Sequence, residues 1–120
     1  FDLLDGEDWY GATITGYSRN RTEPGAITVN DRIAALREAH WRGIKTWVSH
    51  EPVLDEEDIL DFLRRSDYVD RYKIGKLNYH PSDINWKNFG REAEKICRER
   101  GLDYYIKDGL RKEMEADHVR

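Results

Sequence analysis

Cysteine is almost absent from this sequence. Cys97 is the only one among 120 residues. A single thiol excludes a disulfide within the chain, and it excludes a metal or cluster site built entirely from cysteines of this chain. Sparse cysteine is typical of a reducing compartment, so we expect a cytoplasmic location.

Long apolar runs and a large excess of charge of one sign are missing as well. No stretch approaches the roughly 20 apolar residues that span a bilayer, and no basic-then-apolar leader opens the chain, so we expect no membrane contact. The net charge is −4. So small a charge gives the segment no basic footprint for nucleic acid, and it does not exclude DNA binding.

The balance of apolar and charged residues is unusual for an α/β protein. Apolar residues make up 38% of the chain and charged residues 37%. Parallel strands covered on both faces normally have long apolar runs. Some strand faces must therefore meet water, a ligand or missing protein.

Apolar periodicity and turn residues divide the chain into strands and helices in alternation. The pattern predicts strands at residues 9–15, 44–48, 68–77 and 103–107, with a helix after each and a long loop at residues 16–25. Thr28 or Asn30 caps the first helix and Asp55 the second, while residues 80–83 form a loop that ends in capping residues before the third. Gly43 and Gly101 end the first and third helices, and the fourth spans residues 109–116.

Strands that alternate with helices through short returns imply right-handed parallel crossovers. The result is either an open sheet or an arc of a barrel. No glycine-rich phosphate loop follows the first strand, which favours the barrel arc over a nucleotide-binding doubly wound sheet. Because the chain begins at Phe1 and enters a strand within a few residues, we expect residues 1–120 to be a fragment of a longer protein.

Ligands of parallel α/β folds bind at the carboxyl ends of the strands, so chemistry is expected there. Glu51 follows an apolar strand and precedes Pro52, which would fix a carboxylate at the rim of a site; the alternative is an exposed loop glutamate. His50 points to the other side of the strand and has a structural role. Asp108 is a second strand-end acid, unless it starts a helix.

Lysines within the third strand are costly to bury without partners. Lys73 and Lys76 either face a polar lumen that binds an anion or lie on a solvated edge strand, and Lys107 at the end of the next strand favours the lumen. Gly75 between them allows close approach of a backbone or a ligand. The aromatic side chains of Trp47, Trp86 and Phe89 are assigned to the core, and Cys97 is predicted to be an inert buried thiol.

Four runs of the sequence together resemble a known family. They are residues 9–15 (WYGATIT), 42–53 (RGIKTWVSHEPV), 72–79 (YKIGKLNY) and 104–107 (YYIK). The chain is similar over nearly its whole length to the C-terminal half of radical S-adenosylmethionine (SAM) proteins of the spore photoproduct lyase type, often labelled DNA repair photolyase-like. The Glu-Pro segment and the YKIGKLNY run are the most specific parts.

The resemblance implies an α/β fold of four parallel βα units that form part of an incomplete TIM-like barrel. In such proteins a Cys-x-x-x-Cys-x-x-Cys loop holds a [4Fe-4S] cluster that cleaves SAM to a 5'-deoxyadenosyl radical. That loop is absent here, so cluster and cysteines belong to the N-terminal half of a parent chain, and this segment alone is expected to be inactive. The positions matched to SAM or substrate contacts are Thr15, Glu51, Lys76, Asn78 and Lys107.

Two other interpretations stay open at the level of sequence. Ser49-His50-Glu51-Pro52 is similar to the strand-end acid of some glycosidase barrels, which would need a second carboxylate roughly 5 to 9.5 Å away. Alternatively the chain is a binding or assembly module without activity. Half a barrel leaves strand edges and a lumen exposed, so we expect an isolated fragment to self-associate.

Overall fold

The fold is that of a computed structural model, which describes residues 8–17, 28–77 and 82–115. Strands and helices alternate throughout. Their bounds are β1 (Trp9–Thr13), α1 (Val29–Trp41), β2 (Lys45–His50), α2 (Glu56–Arg65), β3 (Arg71–Ile74), α3 (Trp86–Arg100), β4 (Tyr104–Ile106) and α4 (Asp108–Glu115). The predicted loop at 16–25 lies largely outside the described residues.

The four strands form one parallel sheet in the order β1-β2-β3-β4. Each strand therefore pairs with the next one along the chain, and the predicted α/β class with parallel βα units is confirmed. Trp47 of β2 pairs in register with Gly11 of β1 and with Arg71 of β3. Because β3 lies between β2 and β4, the explanation of its lysines by an edge strand is wrong.

β3 is shorter than the predicted strand at 68–77. Before it, the Thr46 hydroxyl donates to the carbonyl of Tyr68 at 2.6 Å, and the Thr46 amide donates to a carboxylate oxygen of Asp70 at 2.8 Å. The Asp70 amide still donates to the Thr46 carbonyl at 2.9 Å, but the Thr46 amide is bonded to a side chain, so the regular strand begins only at Arg71. Residues 78–81 fall outside the described part of the chain.

Side-chain caps fix where the helices begin. Thr28 and Asp31 form a capping box at α1, and Asp55 accepts from the amide of Asp58 at α2, as predicted for Thr28 and Asp55. The cap of α3 is Asn85 rather than a residue of the predicted loop at 80–83. Asn85 supplies the same kind of side-chain acceptor as the predicted capping residues.

Two glycines follow the ends of helices in the left-handed region. Gly43 has φ of 79° and Gly101 has φ of 67°. A residue with a Cβ is strained there, which is why glycine is found at these ends. The two predicted helix stops are confirmed.

The hydrophobic core lies on one side of the sheet, between the strands and the described helices. On β2 the side chains of Thr46, Val48 and His50 are buried, while Lys45 and Trp47, which alternate with them, are exposed. The core also contains residues from every described helix. Cys97 is one of them, and burial raises the pKa of its thiol to about 12, in line with the prediction of an inert cysteine.

Helices α3 and α4 and strand β4 are joined by a carboxylate. Glu94 of α3 accepts two hydrogen bonds from the Arg111 guanidinium, at 2.9 and 2.7 Å, and one from the Tyr104 hydroxyl at 2.8 Å. The bond from Arg111 is the main cause of a lowered pKa of Glu94, about 2. This contact fixes the last βα unit, β4 and α4, to helix α3.

None of the described helices is long and apolar enough to cross a membrane.

Candidate functional site

The face of the sheet that points away from the described helices, here called the open face, is aromatic and basic. It carries Trp9, Lys45, Trp47, Ser49, Arg71, Lys73 and Tyr105. Trp47 keeps 36% of its surface exposed and Tyr105 keeps 49%. The expectation that some strand faces lack protein cover is confirmed in the described residues, and the assignment of Trp47 to the core is wrong.

Close packing sets the position of the two open-face tryptophans. A Cβ atom at Gly11 would lie 2.1 Å from the Trp47 ring, so that indole lies directly over the backbone of β1. The Trp9 ring has two cationic neighbours, with Cζ of Arg71 4.9 Å and Nζ of Lys45 5.4 Å from its centroid. Cation–π attraction holds these three side chains together across β1, β2 and β3.

A cleft of about 350 Å³ opens on this face. Its walls are Trp9, Trp47, Arg71, Tyr72, Lys73 and Tyr105. The volume falls in the range of small-molecule sites in proteins. We refer to it below as the aromatic cleft.

At the carboxyl ends of the strands an acid and a base from different βα units meet. Lys107 Nζ lies 3.5 Å from Oε1 of Glu51, and both side chains keep about a third of their surface exposed, 39% and 30%. A Cβ atom at Gly75 would lie 3.0 Å from the Glu51 carboxyl group. The glycine therefore leaves room for Glu51 to lie over β3, and Glu51 is at a rim rather than free in a loop.

The Lys76 side chain points toward α4 rather than toward Glu51 and Lys107. Its Nζ lies 3.2 Å from Oε2 of Glu113 on α4. Lys73, three positions earlier, lies on the open face beside Tyr105. Lys73 and Lys76 therefore point in different directions, because three residues along an extended chain reverse the direction of the side chain.

The other residues predicted for the site are Thr15, Asn78 and Asp108; Thr15 and Asp108 do not lie together. The Thr15 carbonyl accepts from the amides of Leu54 and Asp55 at 3.0 and 3.3 Å, which ties the end of β1 to the start of α2. Asn78 lies outside the described residues. Asp108 is the first residue of α4, and its carboxylate accepts from the Tyr105 hydroxyl at 3.3 Å.

His50 is fully buried on the helix side of the sheet, as alternation along β2 predicts. Its Nδ1 lies 2.7 Å from the carbonyl oxygen of Ile14, so Nδ1 carries the hydrogen. The buried Nε2 atom has no hydrogen-bond partner among the residues that the structure describes. Desolvation lowers the pKa of the imidazole to about 4. His50 therefore holds the end of β1 and is remote from the open face.

The chain after β1 is fixed to α2 by two carboxylates. The Tyr17 amide donates to Asp58 at 2.9 Å, and its hydroxyl donates to Asp61 at 2.6 Å. Burial, followed by the bond to Asp61, raises the pKa of the Tyr17 phenol. These contacts position the strand end and present no free nucleophile.

Sequence reasoning did not identify Trp9, Lys45, Arg71 and Tyr105 as members of a site. A signal was available in the period-two alternation of Lys45, Trp47 and Ser49 with buried residues. Within the described ranges, no group of three or more His, Cys, Asp or Glu side chains is placed to hold a metal ion. Comparison of the chain with protein-family models, curated proteins and solved structures found no match.

Proposed function

We propose that this chain is the later part of an incomplete parallel barrel and forms the SAM- and substrate-binding wall of a radical SAM enzyme of the spore photoproduct lyase type. The observation that carries the proposal is a parallel sheet in sequential order whose uncovered face ends in Glu51 and Lys107.

Sequential strand order distinguishes a barrel arc from a doubly wound sheet. In a doubly wound sheet the order reverses at a switch point and helices cover both faces. Here the order β1-β2-β3-β4 has no reversal, and the buried side chains of the strands lie on one side. A barrel places its helices outside and leaves the inner face for layered side chains and ligands.

The pair at the carboxyl ends has the donors and acceptors that SAM requires. SAM carries a carboxylate, an ammonium group and two ribose hydroxyls. The Glu51 carboxylate can accept from a hydroxyl or an ammonium group, and Lys107 can donate to a carboxylate. Both side chains are partly exposed to solvent at the rim. A ligand can therefore reach them and replace the contact that they make with each other.

The iron-sulfur cluster of the proposed parent does not fit the residues of this chain. Cys97 is the only cysteine, its side chain is buried in the core, and burial raises the pKa of its thiol to about 12. A cluster needs accessible thiolates. The proposal therefore assigns the cluster to an N-terminal half, and it predicts a Cys-x-x-x-Cys-x-x-Cys segment upstream and no catalysis by residues 1–120 alone.

Isothermal titration of the 120-residue chain with SAM tests the proposal. We expect saturable binding, and Glu51→Gln should weaken it roughly tenfold because a charge-assisted hydrogen bond is lost. Glu99→Gln is the matched control, since Glu99 is exposed near the end of α3. The proposed role would be contradicted if Glu51→Gln bound SAM as tightly as the unsubstituted 120-residue chain. It would also be contradicted if that chain gave no heat of binding at millimolar SAM.

A further inference from the structure

We propose that the aromatic cleft is a separate binding site for a planar aromatic anion: a ring system of two or three fused rings that carries a phosphate, sulfonate or carboxylate. The inference stands on the residues of the cleft and does not require SAM to bind at Glu51 and Lys107.

The charge of the cleft is opposite to the charge of the chain. The chain carries a net charge of −4, yet Arg71 and Lys73 line the cleft and Lys45 lies beside its Trp9 wall. Asp103 accepts from Nε of Arg71 at 3.0 Å, which leaves the terminal guanidinium nitrogens for another acceptor. Lys73 makes no ion pair with any residue that the structure describes. An anion is the ligand that would satisfy these donors.

The rings of the cleft form two walls. Trp47 stands on β2, with its indole over β1, and Tyr105 stands on β4. The two strands are about 9.5 Å apart. Tyr105 also lies two residues further along, because Trp47 pairs with Arg71 and Tyr105 pairs with Lys73. A planar ring that stacks on one wall lies within about 4 Å of it and still has space toward the other. Arg71 and Lys73, on the strand between, form the basic floor.

Other occupants fit the open face less well. A second copy packed face to face by two-fold symmetry would place Arg71 and Lys73 near the same cations of its partner, which is repulsive. An aliphatic segment would bury Lys73 without a counter-charge. An aromatic anion matches both the rings and the cations.

Flavin mononucleotide and riboflavin are suitable probes, because they share one fluorescent three-ring system and differ by a phosphate. We expect the 120-residue chain to quench the fluorescence of both on binding, through stacking on tryptophan. The phosphate should make the mononucleotide bind roughly tenfold more tightly, and added salt should reduce that advantage.

Two variants distinguish the contribution of ring stacking to affinity from the contribution of the cationic side chains. Trp47→Leu should weaken both probes by a similar factor, whereas Lys73→Gln should weaken the mononucleotide about threefold or more and leave riboflavin unchanged. Trp41→Leu and Lys95→Gln are matched controls. Trp41 is 82% exposed at the end of α1, and Lys95 is exposed on α3.

The inference is overturned if neither probe binds at millimolar concentration, if the two bind equally, or if the controls weaken binding as much as the cleft variants. It is also overturned if sedimentation shows a dimer that Lys73→Gln strengthens, since a second copy would then cover the face. Failure of SAM titration leaves these outcomes unaffected, because the flavin probes report on the aromatic cleft.

Discussion

The two faces of the sheet are built from the same strands and differ in what they contact. On β2, Val48 and His50 are fully buried among helix side chains, while Lys45 and Trp47, at alternate positions of the same strand, meet solvent. Because side chains alternate along a strand, one residue packs in the core and the next lies on the open face, where we propose that a ligand binds. Stability and ligand affinity should therefore be separable by substitutions at neighbouring positions of one strand.

The largest expected effect compares Ile74 with Lys73 on β3. Ile74 is fully buried, and Ile74→Ala should lower the free energy of unfolding by about 2–5 kcal/mol through lost burial and a residual cavity. Lys73→Ala should change it by less than about 0.5 kcal/mol, because Lys73 is only partly buried and makes no ion pair with any residue that the structure describes. Urea denaturation followed by circular dichroism measures both. Similar losses for the two variants would mean that the open face is covered in solution.

The pH dependence of stability tests whether His50 is buried on the helix side of the sheet. Its pKa is about 4 in the folded chain, against an ordinary value of 6.5. The unfolded chain therefore takes up a proton first as the pH falls below 6.5. The free energy of unfolding should drop between pH 6.5 and 4, by about 3 kcal/mol for this group.

Denaturation at a series of pH values in this window measures the loss. His50→Gln should flatten the slope above about pH 5.5. The contribution of Glu94, whose pKa falls from 4.5 to about 2 on folding, is lost at lower pH, where the unfolded chain takes up its proton. His40→Asn is the control, since His40 is exposed on α1. An unchanged slope in His50→Gln would show that His50 is not the buried base of this fold.

Substitution of two glycines, one on each side of the sheet, should give a smaller difference in stability. A Cβ atom at Gly90 would lie 2.4 Å from Cγ of Met114 between two packed helices, and one at Gly11 would lie 2.1 Å from the Trp47 ring. Gly90→Ala should cost about 1 kcal/mol, because overpacking exceeds the gain in helix propensity. Gly11→Ala should cost less, since Trp47 can turn into solvent.

The measurement for the glycine pair is thermal unfolding together with tryptophan emission. Gly11→Ala should shift the emission and weaken flavin binding while leaving the unfolding temperature nearly unchanged. A larger loss of stability in Gly11→Ala than in Gly90→Ala would mean that Trp47 is packed more firmly than its 36% exposure indicates.

Much of the fold was predictable because its signals are local. The Asp55 cap, the acidic first turn of α2 and the glycine after α3 each act within a few residues. These signals located the helices to within a few positions. The parallel sheet then followed from the alternation of elements and the short returns.

The open face could not be predicted with the same certainty, because it depends on where the helices pack. Trp47 lies in an apolar run, which is equally typical of a core residue. It is exposed because none of the described helices packs above it, and the sequence pattern does not show this. Lys76 shows the same limit. Its partner Glu113 lies on α4, so the direction of Lys76 was fixed by tertiary packing.

The smallest expected effect concerns the Arg71–Asp103 pair on the open face. Both side chains are 56% exposed and the charged atoms lie 3.0 Å apart. A double-mutant cycle with Arg71→Gln and Asp103→Asn should give a coupling of about 0.5 kcal/mol or less, which decreases with salt. The same cycle at Arg111 and Glu94, whose carboxylate is only 13% exposed, should give a larger coupling, about 1–3 kcal/mol. If the open-face pair couples as strongly as the pair on the helix side, the open face is shielded from water, and the distinction between the two faces fails.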